Sequence, residues 1–191
     1  MKDEFTLSSK PGLKLGELFH FEFRKVPTTE PLRCDLVDMV RHKVLSAYKE
    51  VQVPCIVEHA GLILQGFEDR SFPGGLTQPM WDSLEAKQFV ASCAPLTLHA
   101  TARAVVGYCD GLRVKTFVGE TAGKLMLEPK GDRTFYWDTI FCPDAGGGLT
   151  YAEIVRQHGL LEKLKHSQSL KALIAFMEFR VTSPPELFPG L

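Results

Sequence analysis

Long apolar runs are missing from this sequence. No stretch approaches the roughly 20 consecutive apolar residues that a helix needs to cross a bilayer, so no membrane partner is expected. The opening Met1-Lys2-Asp3-Glu4 is charged and leads into only a short apolar stretch, which is not the pattern of a secretory leader. Excess charge is missing too. Lys and Arg number 22 against 23 Asp and Glu, a formal net charge of −1. A nucleic-acid surface normally needs a strong basic excess, so no nucleic-acid partner is expected, although a local cationic pocket for phosphates stays compatible. Cysteine is sparse and unpaired: Cys34, Cys55, Cys93, Cys109 and Cys142 are widely spaced, with no C-x-x-C. An odd, scattered set fits reduced thiols in the cytoplasm better than a disulfide framework. There is no Walker loop and no G-x-S-x-G. His20, His42, His99 and His158 have no metal-ligand spacing such as H-E-x-x-H.

What is present reads as one domain. The chain has 191 residues, 45% hydrophobic and 24% charged, enough for a full core. A single domain is expected over 1–182, followed by a Pro-rich tail over 183–191. Phe5-Thr6-Leu7 predicts a first strand, Leu13 to Phe19 a short helix, and the alternation of Phe21 and Phe23 with Glu22 and Arg24 a second strand. Leu36, Val40, Val44 and Ala47 recur at helical spacing behind Asp35, a suitable N-cap. Pro54 to Val57 predicts a buried strand, broken at Glu58-His59 and resumed over Gly61 to Leu64. A helix is expected over Trp81 to Ser92 and a long strand over Thr97 to Cys109. Asp110-Gly111 predicts a type I′ hairpin turn, with return strands at Leu112 to Gly119 and Gly123 to Leu127. Thr150-Tyr151-Ala152-Glu153 has the spacing of a capping box and heads a helix to Gln157. A last helix is expected over Ser167 to Phe176. The mixture predicts an α/β or α+β fold with a mixed sheet.

Two stretches resemble the inosine triphosphate pyrophosphatase (ITPase) family, the pyrophosphatases of non-standard purine nucleoside triphosphates. One is Asp35 to Lys43, Ala47-Tyr48 and Pro54 to Leu62, where the family reads an acid, A-R-x-K and P-V-x-V-E-D-T-G-L. The other is Gly119, Gly123-Lys124-Leu125, Pro129-Lys130-Gly131, Phe135 to Phe141 and Thr150 to Glu153, against G-x-x-x-G-x-I, P-R-G, F-G-W-D-P-I-F and T-x-A-E. Order and approximate spacing match from Phe5 to Ala175. The resemblance implies an ITPase-like α/β fold: a long curved mixed sheet, with helices forming two lobes around a nucleotide cleft. It also implies a homodimer, and magnesium-dependent cleavage of ITP, dITP or XTP to the monophosphate and pyrophosphate.

Carried over residue by residue, the resemblance implies that Asp35 and Glu58 are metal-binding acids and that Glu58 and His59 hold the catalytic position. It implies that Ser8, Ser9, Lys10, Lys14 and Lys163 bind phosphates, and that Phe135, Trp137, Asp138 and Gln168 bind the base. Four departures stand out. His59 replaces the family's catalytic Asp, and a neutral imidazole is a poor magnesium ligand. The first loop, Ser8 to Glu17, keeps K-x-x-E only with an insertion. Tyr136 and Thr139 replace a Gly and a Pro. Ser167-Gln168-Ser169 stands where the family has S-H-R. Because functional segments depart while scaffold segments hold, a nucleotide-binding sensor with little turnover is expected ahead of an active pyrophosphatase. By analogy, its setting is a bacterial anti-phage defence complex with a sirtuin-like NAD-consuming effector.

Overall fold

The computed structural model describes residues 21–132 and 136–183. The first strand and helix, Ser8, Ser9, Lys10, Lys14 and Phe135 among the expected site residues, and all of the tail after Ser183 lie outside the described residues. The α/β expectation holds. The described strands form one antiparallel sheet in the order β1-β2-β3-β4: β1 is Cys55–Leu64, β2 His99–Cys109, β3 Val114–Leu125 and β4 Phe141–Pro143. Register pairs Cys55 with Cys109 and Leu64 with Ala100, then His99 with Lys124 and Cys109 with Val114.

Helix α1 (Leu36–Val51) lies on one face of this sheet. Asp35 caps it by accepting from the backbone N–H groups of Val37 and Asp38 at 2.8 and 3.1 Å, which satisfies donors that a helix start leaves free. Its buried stripe is Leu36, Met39, Val40, Val44 and Ala47. Leu36 and Val40 pack with Val105, and Val57 joins them. Helices α2 (Thr77–Ser83) and α3 (Ala86–Cys93) follow β1, and α4 (Tyr151–His158), α5 (Leu160–His166) and α6 (Gln168–Thr182) follow β4. Helix α6 covers the opposite face. Its Ala172, Phe176 and Met177 meet Ala104, Val106 and Tyr108, with Ile56 and Ala60 alongside. A separate core joins Leu62, Leu64, Trp81, Phe89, Ile140 and Phe141.

Several expectations are corrected. Phe21 and Phe23 form no strand; the Phe21 ring instead sits 6.5 Å from that of Phe176. Glu58 and His59 do not break their strand, because extended backbone tolerates polar residues where neighbouring groups receive them. The expected 81–92 helix is two helices, divided where the Glu85 N–H donates to Gln88 Oε1 at 3.0 Å and starts the second. The hairpin turns one residue later than expected: Asp110 N donates to the Arg113 carbonyl at 3.3 Å across Gly111-Leu112, and Asp110 Oδ1 accepts from Leu112 N and Arg113 N at 3.0 and 2.7 Å. The two return strands are one, β3. Ser167 is the N-cap of the last helix, which continues past Phe176 to Thr182. No described helix is long and apolar enough to cross a membrane.

Candidate functional site

Successive strand side chains leave opposite faces of a sheet, and β1 places Glu58 and His59 accordingly. Glu58 lies on the α6 face, where its Oε1 accepts from Ser169 Oγ at 2.9 Å. Desolvation by the surrounding protein pushes its carboxyl above the ordinary range; the Ser169 hydrogen bond and the Lys43 charge pull the other way. His59 lies on the α1 face. Its Nδ1 is 3.4 Å from Glu30 Oε2, and Glu30 Oε1 is 2.8 Å from Lys43 Nζ. Lys43 also donates to the Glu58 carbonyl at 3.2 Å, tying the group to the strand. Burial, then the charge of Lys43, hold His59 below its usual pKa, against the pull of Glu30. Burial would raise Glu30, but its hydrogen bond and charge pairing with Lys43 prevail and hold it low. His59 Nε2 is buried and has no hydrogen-bond partner among the described residues. The group therefore sets an imidazole whose protonation is disfavoured beside the Glu30–Lys43 ion pair.

Asp35 sits at the head of α1, on the His59 side of the sheet. Gly74, at φ 52°, lets the chain before α1 approach closely: a Cβ there would lie 2.0 Å from the Cys34 carbonyl oxygen. Asp35 thus heads the helix on the α1 face, while the Glu58 carboxylate engages Ser169 on the α6 face. Among the described residues no cluster of three or more His, Cys, Asp or Glu could hold a metal.

The second group assembles from three elements. A 3-10 turn over Tyr136–Thr139 carries Trp137 and Asp138, both buried. Asp138 pairs with Lys163 from α5. Burial pushes Asp138 up, and the Lys163 charge and hydrogen bond draw it back. Lys163 Nζ also lies 5.1 Å from the centroid of the Tyr151 ring, within cation–π range. Trp137 meets Phe141 edge-on at 5.7 Å and Tyr151 at 6.4 Å. Gln168, at the start of α6, is buried with its side chain on the Tyr151 hydroxyl. Gly119 on β3 makes this docking possible, since a Cβ there would stand 2.0 Å from the Gln168 carbonyl oxygen.

Trp137, Asp138, Lys163 and Gln168 are therefore brought together around Tyr151. Adjacent residues Gln168 and Ser169 join this group to Glu58. Glu30, Lys43, Tyr151 and Ser169 were not singled out by sequence reasoning. Lys43 stood at the K of A-R-x-K and Ser169 in the place of the Arg of S-H-R, neither with an assigned role, and Tyr151 was a spacer in T-x-A-E; Glu30 had no local signal, because its ion-pair partners are 13 and 29 positions away.

A profile of the Ham1 family matches residues 7–179. The chain is 35% identical over 128 residues to a dITP/XTP pyrophosphatase of Methanopyrus kandleri, covering 66% of this chain and 64% of that protein. It is 32% identical over 149 residues to inosine triphosphate pyrophosphatase 2 of Trypanosoma cruzi, covering 72% of this chain and 68% of that one. In fold it is similar to a HAM1 protein from Coxiella burnetii, with a TM-score of 0.69 at 20% identity over 83% of this chain and 82% of that chain. The match thus spans just under two thirds of the M. kandleri protein.

Proposed function

The chain belongs to the Ham1 family, and on that premise we propose that it binds a purine nucleoside triphosphate of the dITP, ITP or XTP kind and turns it over weakly or not at all. The names of the relatives from M. kandleri and T. cruzi support the ligand class. On this reading the base meets Asp138 and Gln168, beside the packed ring of Trp137, and the triphosphate lies toward Lys43 and His59.

One observation carries the weak turnover. His59, held below its usual pKa by burial and by the Lys43 charge, packs against a Glu30 already paired with Lys43. That spot offers no net negative charge to a divalent ion. Hydrolysis depends steeply on charge placed for the transition state, whereas ground-state binding depends on it less. Magnesium would then arrive with the triphosphate, held chiefly by phosphate oxygens.

The test pairs two assays on purified protein. Calorimetry with dITP, ITP, XTP and ATP should show binding of the first three, and a pyrophosphate assay with magnesium should show little release. Rapid release from dITP, abolished by His59→Ala, would replace this reading with that of a working pyrophosphatase. The unpartnered Nε2 of His59 is the specific feature that favours this second reading, because it is placed to accept a proton.

A protein that keeps its ligand intact suits a sensor. The proposal extends to a homodimeric sensor subunit that passes its bound state to an effector, a sirtuin-like NAD-consuming protein of an anti-phage complex. Its support is the chemistry of retention alone, and NAD consumption by such a pair on addition of dITP is the measurement that tests it.

A further inference from the structure

The Tyr151 hydroxyl lies 2.8 Å from the His166 carbonyl oxygen and 3.0 Å from Gln168 Oε1. It has a single proton. A backbone carbonyl can only accept, so the short contact to His166 requires that proton. The neighbouring Thr121 hydroxyl also donates to the His166 carbonyl, at 2.6 Å, while its own oxygen accepts from Lys171 Nζ at 2.9 Å. Thr121 therefore has no second proton with which to release Tyr151. Two oxygens facing each other at 3.0 Å without a proton repel. The ends of a Gln amide are assigned from such networks, and the consistent arrangement turns the Gln168 amide so that Nε2 donates to the Tyr151 oxygen.

We infer that Tyr151 is a positioning residue that locks the Gln168 amide in one orientation and thereby sets discrimination between 6-oxo and 6-amino purines. This rests on the proposed nucleotide-binding reading. With one Nε2 proton committed to Tyr151, the amide offers a fixed order of one acceptor, Oε1, and one remaining donor. The pairing edge of a 6-oxo purine presents an N1–H donor beside an O6 acceptor; a 6-aminopurine presents the reverse order, an N1 acceptor beside an amino donor. A free amide could flip to suit either. A locked one matches a single order, and the ligand class proposed above makes that the 6-oxo order. Gln168 is 6% exposed and Tyr151 fully buried, so water does not substitute for the lost contact. A buried polar group left unpaired by the wrong base costs enough to discriminate.

Calorimetric affinities for dITP and dATP test this in wild type and in Tyr151→Phe, which keeps the ring against Trp137 and Phe141. The expected result is a wild-type preference for dITP that falls by about tenfold in Tyr151→Phe, the equivalent of one lost hydrogen bond to a buried partner. Tighter dATP binding should contribute to the fall, which a merely structural role would not produce. A folded Tyr151→Phe with the wild-type ratio overturns the inference, as does a wild type without preference. If wild type binds neither triphosphate, the nucleotide reading fails and the inference with it. Should Tyr151→Phe not fold, nuclear Overhauser contacts in the wild type decide. One Gln168 side-chain amide proton should show a contact to the Tyr151 ring protons and slow exchange with solvent; absence of that contact overturns the inference.

Discussion

Glu58 and His59 are neighbours in sequence and act on opposite faces of one sheet: Glu58 receives a hydrogen bond from Ser169 of α6, and His59 faces Glu30 beside α1. His59→Asp places a carboxylate next to Lys43 and supplies the negative charge that the α1 face lacks. We expect it to raise magnesium-dependent pyrophosphate release from dITP by at least about tenfold, since loss of a single group that stabilises transition-state charge typically costs about 10²–10³ in rate. Affinity for dITP should change less. A coupled pyrophosphate assay checks this; a variant no faster than wild type would count against His59 as the cause of weak turnover.

The framework of this arrangement was legible in the sequence because its signals are local. Asp35 and Thr150 each cap a helix using residues within three positions, and the apolar stripe of α1 repeats at helical spacing. The site was legible in part. Trp137, Asp138, Lys163 and Gln168 were named as binding residues and do meet, but no pattern could say that Lys163 would pair with Asp138, 25 positions earlier. The Glu30–Lys43–His59 group was not legible at all. Glu30 sits in a segment without regular structure, and only tertiary packing brings it to β1.

Trp137 was expected to stack on a base, and the structure seats it in the core, 5% exposed and in contact with Phe141 and Tyr151. Trp137→Ala should therefore cost stability, roughly 3–5 kcal/mol. Urea denaturation measures it. Trp137→Phe, which retains part of the aromatic contact, should cost less than half as much. A loss below about 1 kcal/mol for the Ala variant would show that this ring contributes little packing and is held for a ligand.

Tyr136 has φ of 35°, in the left-handed region that bulky side chains avoid. The family motif has Gly at this position. Tyr136→Gly should relieve a backbone cost of about 1 kcal/mol, partly offset by the greater freedom of Gly in the unfolded chain. Tyr136→Val, branched at Cβ, should be worse than wild type. Thermal unfolding should rank the variants Gly, Tyr, Val from most to least stable, and a Gly variant that melts below Tyr would show that the side-chain contacts of Tyr136 outweigh its backbone strain.

The Glu30–His59 group predicts the acid limb of stability. His59 is held below its usual pKa of about 6.5. As pH falls through that value the unfolded chain takes up a proton at this position and the folded chain does not. The unfolded state is favoured, so stability falls with falling pH until the folded imidazole also protonates. Glu30 acts in the same direction lower down. Its folded pKa is below the ordinary Glu value of about 4.3, so its contribution is complete above that value and is lost as pH falls through the lower, folded one. The contribution of this group should thus be lost in two stages, the first below about pH 6.5 and the second below about pH 4.3, while the raised carboxyls of Glu58 and Asp138 act in the opposite direction. His59→Asn, which does not titrate, should remove the upper stage and leave the lower. Glu30→Gln should remove the lower stage and enlarge the upper, because His59 then loses the one neighbouring charge that favours its protonation. Urea midpoints at half-unit pH steps distinguish these outcomes. An unchanged upper stage in His59→Asn would assign that stage to another group and dismiss His59 as its source.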